Sequence, residues 1–237
     1  MIDSDGLIRF REGRDDGLLV IDSQGNAKTQ TAAQVDLVFV VDTTGSMEGE
    51  IDGLLKSLKR LAAQLDLRGI DWRIATMAFG DLTVKGDKIV ITPFTDKLEV
   101  VEKSLDHIPR YDGGGNDGES SLEALAKALE LPTYRFSAIK VCLLLTDEPA
   151  LKKNLTPKVV TQKLVEAGIL TFVISEPQGY FQEMARKTGG AWFQISSEVD
   201  FSSILEQLFR QVAQTVVAVQ TEAGGDVQKY LQLNPPK

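Results

Sequence analysis

Three short stretches of the chain concentrate oxygen-bearing side chains of the kind that hold hard cations. The first is Asp42-Thr43-Thr44-Gly45-Ser46, where a carboxylate and two hydroxyls alternate at 42, 44 and 46. The alternation aims all three to one side of a tight turn, and Gly45 permits an unusual backbone angle there. This hard-oxygen set suits Mg2+, Mn2+ or Ca2+ and offers no soft ligand for zinc or copper. The second stretch is the glycine-dense Gly113-Gly114-Gly115-Asn116-Asp117-Gly118, followed by Glu119. The third is Thr146-Asp147-Glu148. Taken singly, each has a bland use. Ser46 would serve as a helix N-cap, Thr44 and Asp147 as turn residues, and Glu119 as an acid at the positive end of a helix. Only a fold that brings the three stretches together makes them one site.

The elements around them predict such a fold. Residues 35–41, Val-Asp-Leu-Val-Phe-Val-Val, are a near-continuous apolar run that reads as a strand buried on both faces of a parallel sheet, ending at Asp42. Residues 47–65 have helical spacing, with Ile51, Leu54, Leu58, Leu61 and Leu65 on one face. Further strands are expected at 72–79, 88–92, 138–145, 170–174 and 191–195, with helices at 97–106, 120–129, 157–167, 181–187 and 201–219. The strand at 88–92 stops at Pro93, which places it at a sheet edge. Strands alternating with helices imply right-handed βαβ units. The expected fold is a doubly wound, Rossmann-like α/β domain over residues 35–219. Its sheet is mainly parallel and six-stranded, with one antiparallel edge strand and helices on both faces. In such sheets ligands sit beyond the carboxyl ends of the strands, where the strand order reverses. Residues 1–34 read as an N-terminal extension with a β-hairpin, and residues 220–237 as a short, polar, frayed tail.

Composition narrows the function classes. The chain has 237 residues and a net charge of −8, without the concentrated basic patch that nucleic acid demands. A domain of about 180 residues buries roughly 70% of its unfolded surface and needs no covalent staple. The single cysteine, Cys142, lies inside an apolar run and reads as a small core residue. Residues 1–6 have neither the basic region nor the apolar core of a secretory signal, and no apolar run approaches the roughly 20 residues of a membrane span. The expectation is a cytoplasmic protein with no membrane partner. His107, the only histidine, falls near a helix end, where a capping or solvated role suits it better than catalysis. Trp72 and Trp192 read as packing residues, and Asp81, just after a strand, as a source of negative potential rather than a ligand.

Asp42-Thr43-Thr44-Gly45-Ser46 between an apolar strand and an amphipathic helix, with Thr146-Asp147 after a second apolar strand, resembles the metal-ion-dependent adhesion site of von Willebrand factor A domains, also called integrin I domains. The resemblance covers residues 35–217. The middle loop departs from the commonest pattern, because no threonine occurs between Thr95 and Thr133. It looks instead like the Asp-x-Pro-Glu variant, in which Glu119 is the ligand, Asn116 stands where the variant has aspartate and Gly118 where it has proline. The resemblance therefore implies Asp42, Thr44, Ser46, Glu119 and Asp147 around one Mg2+ (or Mn2+ or Ca2+). Asn116, Asp117 and Glu50 would form an outer or adjacent shell.

What the resemblance implies about function is a non-catalytic module. The ion keeps one coordination position open for an acidic side chain of a protein partner. A different class shares part of the pattern: a Mg2+-dependent phosphotransferase of the haloacid-dehalogenase type also has an Asp at the end of the first strand. Those enzymes need a second Asp two residues on, and position 44 is threonine. A third reading keeps the fold and drops the metal, leaving a scaffold surface.

Overall fold

The structure is a computed structural model that describes residues 8–10, 18–21, 27–30, 32–114, 118–131, 133–195 and 200–236. Asn116, Asp117 and the turn expected at 24–26 lie outside the described residues.

The organising element is β4 (Gln34–Asp42), in which every residue after Gln34 is buried. It pairs in parallel with β5 (Asp71–Phe79) on one side and with β7 (Ile139–Leu145) on the other. Outside these lie β6 (Val90–Thr95), β8 (Ile169–Ser175) and β9 (Trp192–Gln194), giving the order β6-β5-β4-β7-β8-β9. All pairings in this sheet are parallel except that of β5 with the edge strand β6. From β4 the chain goes first to one side and later to the other, so the order reverses between β4 and β7.

Alternate residues of the central strand feed two cores. Val35, Leu37, Phe39 and Val41 pack with α1 (Glu48–Asp66), α2 (Leu98–Asp106) and α6 (Phe201–Ala223). Val38 and Val40 pack on the other face with α3 (Ser121–Leu129), α4 (Pro157–Glu166) and α5 (Gly179–Lys187). This is the doubly wound α/β architecture that the apolar runs predict. The helices obey local rules. The α1 helix buries Ile51, Leu54, Leu58, Leu61 and Leu65 and carries Glu48 and Glu50 in its first turn, where acids favour the helix dipole. The α4 helix opens with a Thr156 cap that accepts from the Val159 N–H, and has Pro157 in its first turn.

Four features differ from the sequence expectation. The edge strand does not stop at Pro93 but runs to Thr95. Thr76 faces Thr92 and Ile74 faces Thr95, so two residues, Pro93 and Phe94, oppose one, Ala75. That bulge absorbs the residue that cannot donate to the ladder. Second, residues after 219 are not a frayed tail. The α6 helix continues to Ala223, ends on left-handed Gly224, and is followed by α7 (Val227–Leu233), capped by the Asp226 carboxylate on the Lys229 N–H. Val227 is buried, and Tyr230 and Leu231 pack against the same core at helical spacing. Third, residues 8–30 carry a separate antiparallel sheet of three strands, β1 (Ile8–Phe10), β2 (Leu18–Ile21) and β3 (Ala27–Gln30). The third strand, Ala-Lys-Thr-Gln, lacks the apolar alternation that would mark it in the sequence.

The fourth concerns Asp36, a charged residue inside β4 that is fully buried. Its carboxylate accepts from Arg73 Nε at 3.0 Å and Nη2 at 2.7 Å, and from the backbone N–H and Nε of Arg135 at 2.6 and 2.9 Å. Arg135 also donates to Asp71 at 2.6 Å. This network ties the starts of β4 and β5 to the segment leading into β7. It lies at the end of the sheet opposite Asp42.

Candidate metal centre

The end of β4 extends past its apolar run by pairing with neighbours rather than by turning away. The Thr43 N–H donates to the Phe79 carbonyl at 2.9 Å, and the Tyr111 N–H donates to the Thr43 carbonyl at 2.9 Å. Asp42 is fully buried here, and its hydrogen bonds use both carboxylate oxygens. Oδ1 accepts from the Thr44 N–H at 3.1 Å and from Thr44 Oγ1 at 2.7 Å. Oδ2 accepts from Thr146 Oγ1 at 2.7 Å. The first and third stretches are thus joined directly, across the point where the strand order reverses. With its hydroxyl proton turned to Asp42, Thr44 keeps its oxygen lone pairs for something else, whereas Thr146 Oγ1 also accepts from the Glu148 N–H at 3.3 Å.

The middle stretch arrives by close backbone passage. Gly113 has φ +71°, and a Cβ there would stand 3.0 Å from Glu119 Oε1 and 3.2 Å from Thr44 Cγ2. The glycine backbone therefore touches both residues, which brings Glu119 beside Thr44. Gly118 has φ +136°, and a Cβ on it would lie 2.5 Å from the Pro149 carbonyl oxygen. That approach lets the Glu119 N–H donate to the Pro149 carbonyl and the Leu151 N–H donate to the Glu119 carbonyl, each at 2.9 Å. Two glycines of the dense run thus have steric reasons to be glycine.

Acids of the other two loops act on Asp42 here: the charge of Asp147 bears on Asp42, and that of Asp42 on Glu119. Burial pushes Asp42 up to about 6, its hydrogen bonds from Thr146 and Thr44 oppose the rise, and the charge of Asp147 adds to it. Burial likewise pushes Glu119 up to about 8, and Asp42, Asp81, Asp87 and Glu148 all add to the rise. Glu119 is 5% exposed, and its Oε2 has no hydrogen-bond partner among the described residues; the same holds for the buried Oδ1 of Asp147. Unpaired buried carboxylate oxygens are costly unless a ligand answers them. A hard divalent cation fits this donor set in charge and in chemistry. Among the described residues, no three His, Cys, Asp or Glu side chains gather in a way that could hold a metal by themselves. Hydroxyl oxygens and water have to complete any shell.

The other expected residues are placed as follows. Ser46 is exposed in a short 3-10 turn, Gly45–Met47, and caps neither that turn nor α1, so the N-cap explanation for it does not apply. Glu50 is half-buried in the first turn of α1, with no hydrogen bond or ion pair to the cluster among the described residues. Asp81 repeats the Asp42 motif one strand over: it is fully buried and accepts from the Thr83 N–H and Oγ1, both at 2.8 Å. Its charge bears on Glu119, as its position after a strand suggests. Sequence reasoning named Thr146 and Gly113 as members of their loops but gave neither a part in the site. The first precedes an acid at a strand end, and the second opens the glycine run; those were the available signals.

Sheet order, crossovers and a polar cluster at the point of order reversal together define a Rossmann-like α/β domain with its candidate site at the carboxyl edge of the sheet. The chain belongs to the von Willebrand factor type A domain family, whose family model matches residues 36–211. No curated protein matches the chain. Domains of this family are in general interaction modules rather than enzymes. Among the described residues, no helix is long and apolar enough to cross a membrane.

Proposed function

We propose that this domain is a divalent-cation-dependent protein-binding module. Asp42, Thr44, Ser46, Glu119 and Asp147 hold one Mg2+, Mn2+ or Ca2+, and a partner carboxylate completes its coordination. The observation that carries this reading is the pair of buried, unpartnered carboxylate oxygens on Glu119 and Asp147 next to the buried acid Asp42. Asp42 supplies negative charge and, by accepting the Thr44 hydroxyl proton, leaves the Thr44 oxygen lone pairs available to a cation. Ser46 is exposed, so an ion that it helps to hold is open to a partner's oxygen. The bound ion would supply the positive charge that the cluster lacks and an attachment point for an anionic oxygen. Asn116, Asp117 and Glu50 are assigned at most an outer role.

Phosphoryl transfer through Asp42 is disfavoured, because position 44, where such an enzyme needs its second aspartate, is a threonine that donates to Asp42. The module has no catalytic residue in this reading.

Calorimetric titration of the full chain with Mg2+, Mn2+ and Ca2+ tests the proposal. Saturable binding of at least one ion is expected, lost in Asp42→Ala and Asp147→Ala variants that keep the wild-type circular dichroism. Absence of binding by any of the three ions in the folded wild type overturns it.

A further inference from the structure

A groove of about 1080 Å3 runs between α4 and α5, outside the three-loop cluster. Its walls carry Lys152, Lys158, Lys163 and Lys187, all exposed, on a chain whose net charge is −8. The acid on the same wall, Glu183, is paired with Lys187 at 2.6 Å. The groove also offers apolar contact: Val159 is 45% exposed, and the Tyr180 ring lies 4.6 Å from the Lys152 ammonium. The helices hold these groups in place, with Val159 and Lys163 one turn apart on α4.

We propose that this groove docks an acidic, extended peptide segment of the protein partner. Charge complementarity selects the occupant: a concentrated positive strip on an acidic protein attracts acids and repels other basic surfaces. A peptide can space its acids to leave a gap opposite Glu183. A nucleic acid backbone, with a charge at every phosphate, cannot, and would also meet the carboxylates of the neighbouring cluster. The groove and the cluster are physically joined. The Ala150 N–H donates to Tyr180 Oη at 2.8 Å, and the Leu151 N–H donates to the Glu119 carbonyl at 2.9 Å, so Lys152 follows directly from the third loop. A partner whose carboxylate reaches the cluster can lay its following residues along α4 and α5. That continuity rests on the metal reading above; the groove as an acidic-peptide surface does not.

The test uses the full chain and a fluorescein-labelled peptide rich in Glu and Leu, followed by fluorescence anisotropy. Binding that weakens with added salt is expected, reduced at least about tenfold in Lys158→Glu/Lys163→Glu and unchanged in Lys56→Glu/Lys97→Glu, which alters surface lysines elsewhere. Measurements in EDTA and with Asp42→Ala separate the two proposals. Loss on lysine reversal with no effect of EDTA supports the groove and removes its link to the metal. Sensitivity to EDTA with no effect of lysine reversal overturns the groove and leaves the metal reading standing. No binding of the peptide, or binding of a labelled single-stranded RNA in its place, also overturns the groove proposal.

Discussion

Replacing Asp42 by asparagine should stabilise the ion-free protein while abolishing its response to divalent ions. Burial raises the Asp42 carboxyl from 3.8 to about 6, so the folded state holds it ionised at a cost. A shift of about two units corresponds to about 3 kcal/mol at pH values above both constants. Because the folded value is raised, the favourable contribution of the protonated acid is complete below 3.8 and is lost as the pH climbs through about 6. Asparagine keeps the size and never ionises, but it exchanges one acceptor oxygen for a donor. One of the Thr44 or Thr146 hydroxyls must then turn, at about 1 kcal/mol. The net gain is about 2 kcal/mol near pH 8, or roughly 4 to 8 °C in melting temperature for a domain of this size, and it vanishes near pH 4. Thermal unfolding followed by circular dichroism in EDTA, across that pH range, measures it. Addition of Mg2+ or Mn2+ should then raise the melting temperature of the wild type alone. A variant less stable than wild type in EDTA at pH 8, or a gain independent of pH, would show that the hydrogen bonds to Asp42 outweigh its burial and refute the reasoning.

Other substitutions probe the frame. Asp36→Ala strands two arginines that are 21–26% exposed, and should cost about 3 kcal/mol in urea unfolding, the lower end for a broken buried pair; a loss below about 1 kcal/mol would mean that solvent replaces the network. Gly190→Ala places a Cβ 2.0 Å from the Thr171 carbonyl oxygen. It should therefore destabilise by about 3 kcal/mol or prevent folding, and a wild-type melting curve would contradict this. The Cys142 thiol is fully buried and pushed up to about 12, so a thiol-reactive dye at pH 8 should label it only after unfolding by urea. Rapid labelling in native buffer would count against that burial. Gly118→Ala should weaken ion affinity by pushing Glu119 away from the Pro149 carbonyl, and calorimetry showing unchanged affinity would exclude that role.

The sheet was legible in the sequence because its central strands are sealed on both faces. Residues 35–41 and 139–145 are nearly continuous apolar runs, and their alternation with amphipathic helices selects a parallel sheet covered on both faces. Asp42 and Asp147 could be read because each stands where an apolar run stops. Asp36 could not be interpreted, since its partners Arg73 and Arg135 lie 37 and 99 residues away and nothing local announces them. The α7 helix escaped for a similar reason: three core-facing residues, Val227, Tyr230 and Leu231, in a seven-residue segment are too short a pattern to mark a helix, and the packing that stabilises it is tertiary. At the site, residue types revealed the acids but not the glycine passage at 113. That passage depends on how closely the glycine backbone approaches the Glu119 and Thr44 side chains, which no spacing encodes.

The two borders of the main sheet bear on how the molecule behaves at high concentration. A strand with free amides along its outer rim invites a second chain to add on, the first step towards fibrillar association. On one flank Pro93 interrupts the row of donors at the bulge, and on the other β9 offers only three residues. Neither rim presents a long, flat template, so copies of this domain have little opportunity to zip together through their backbones.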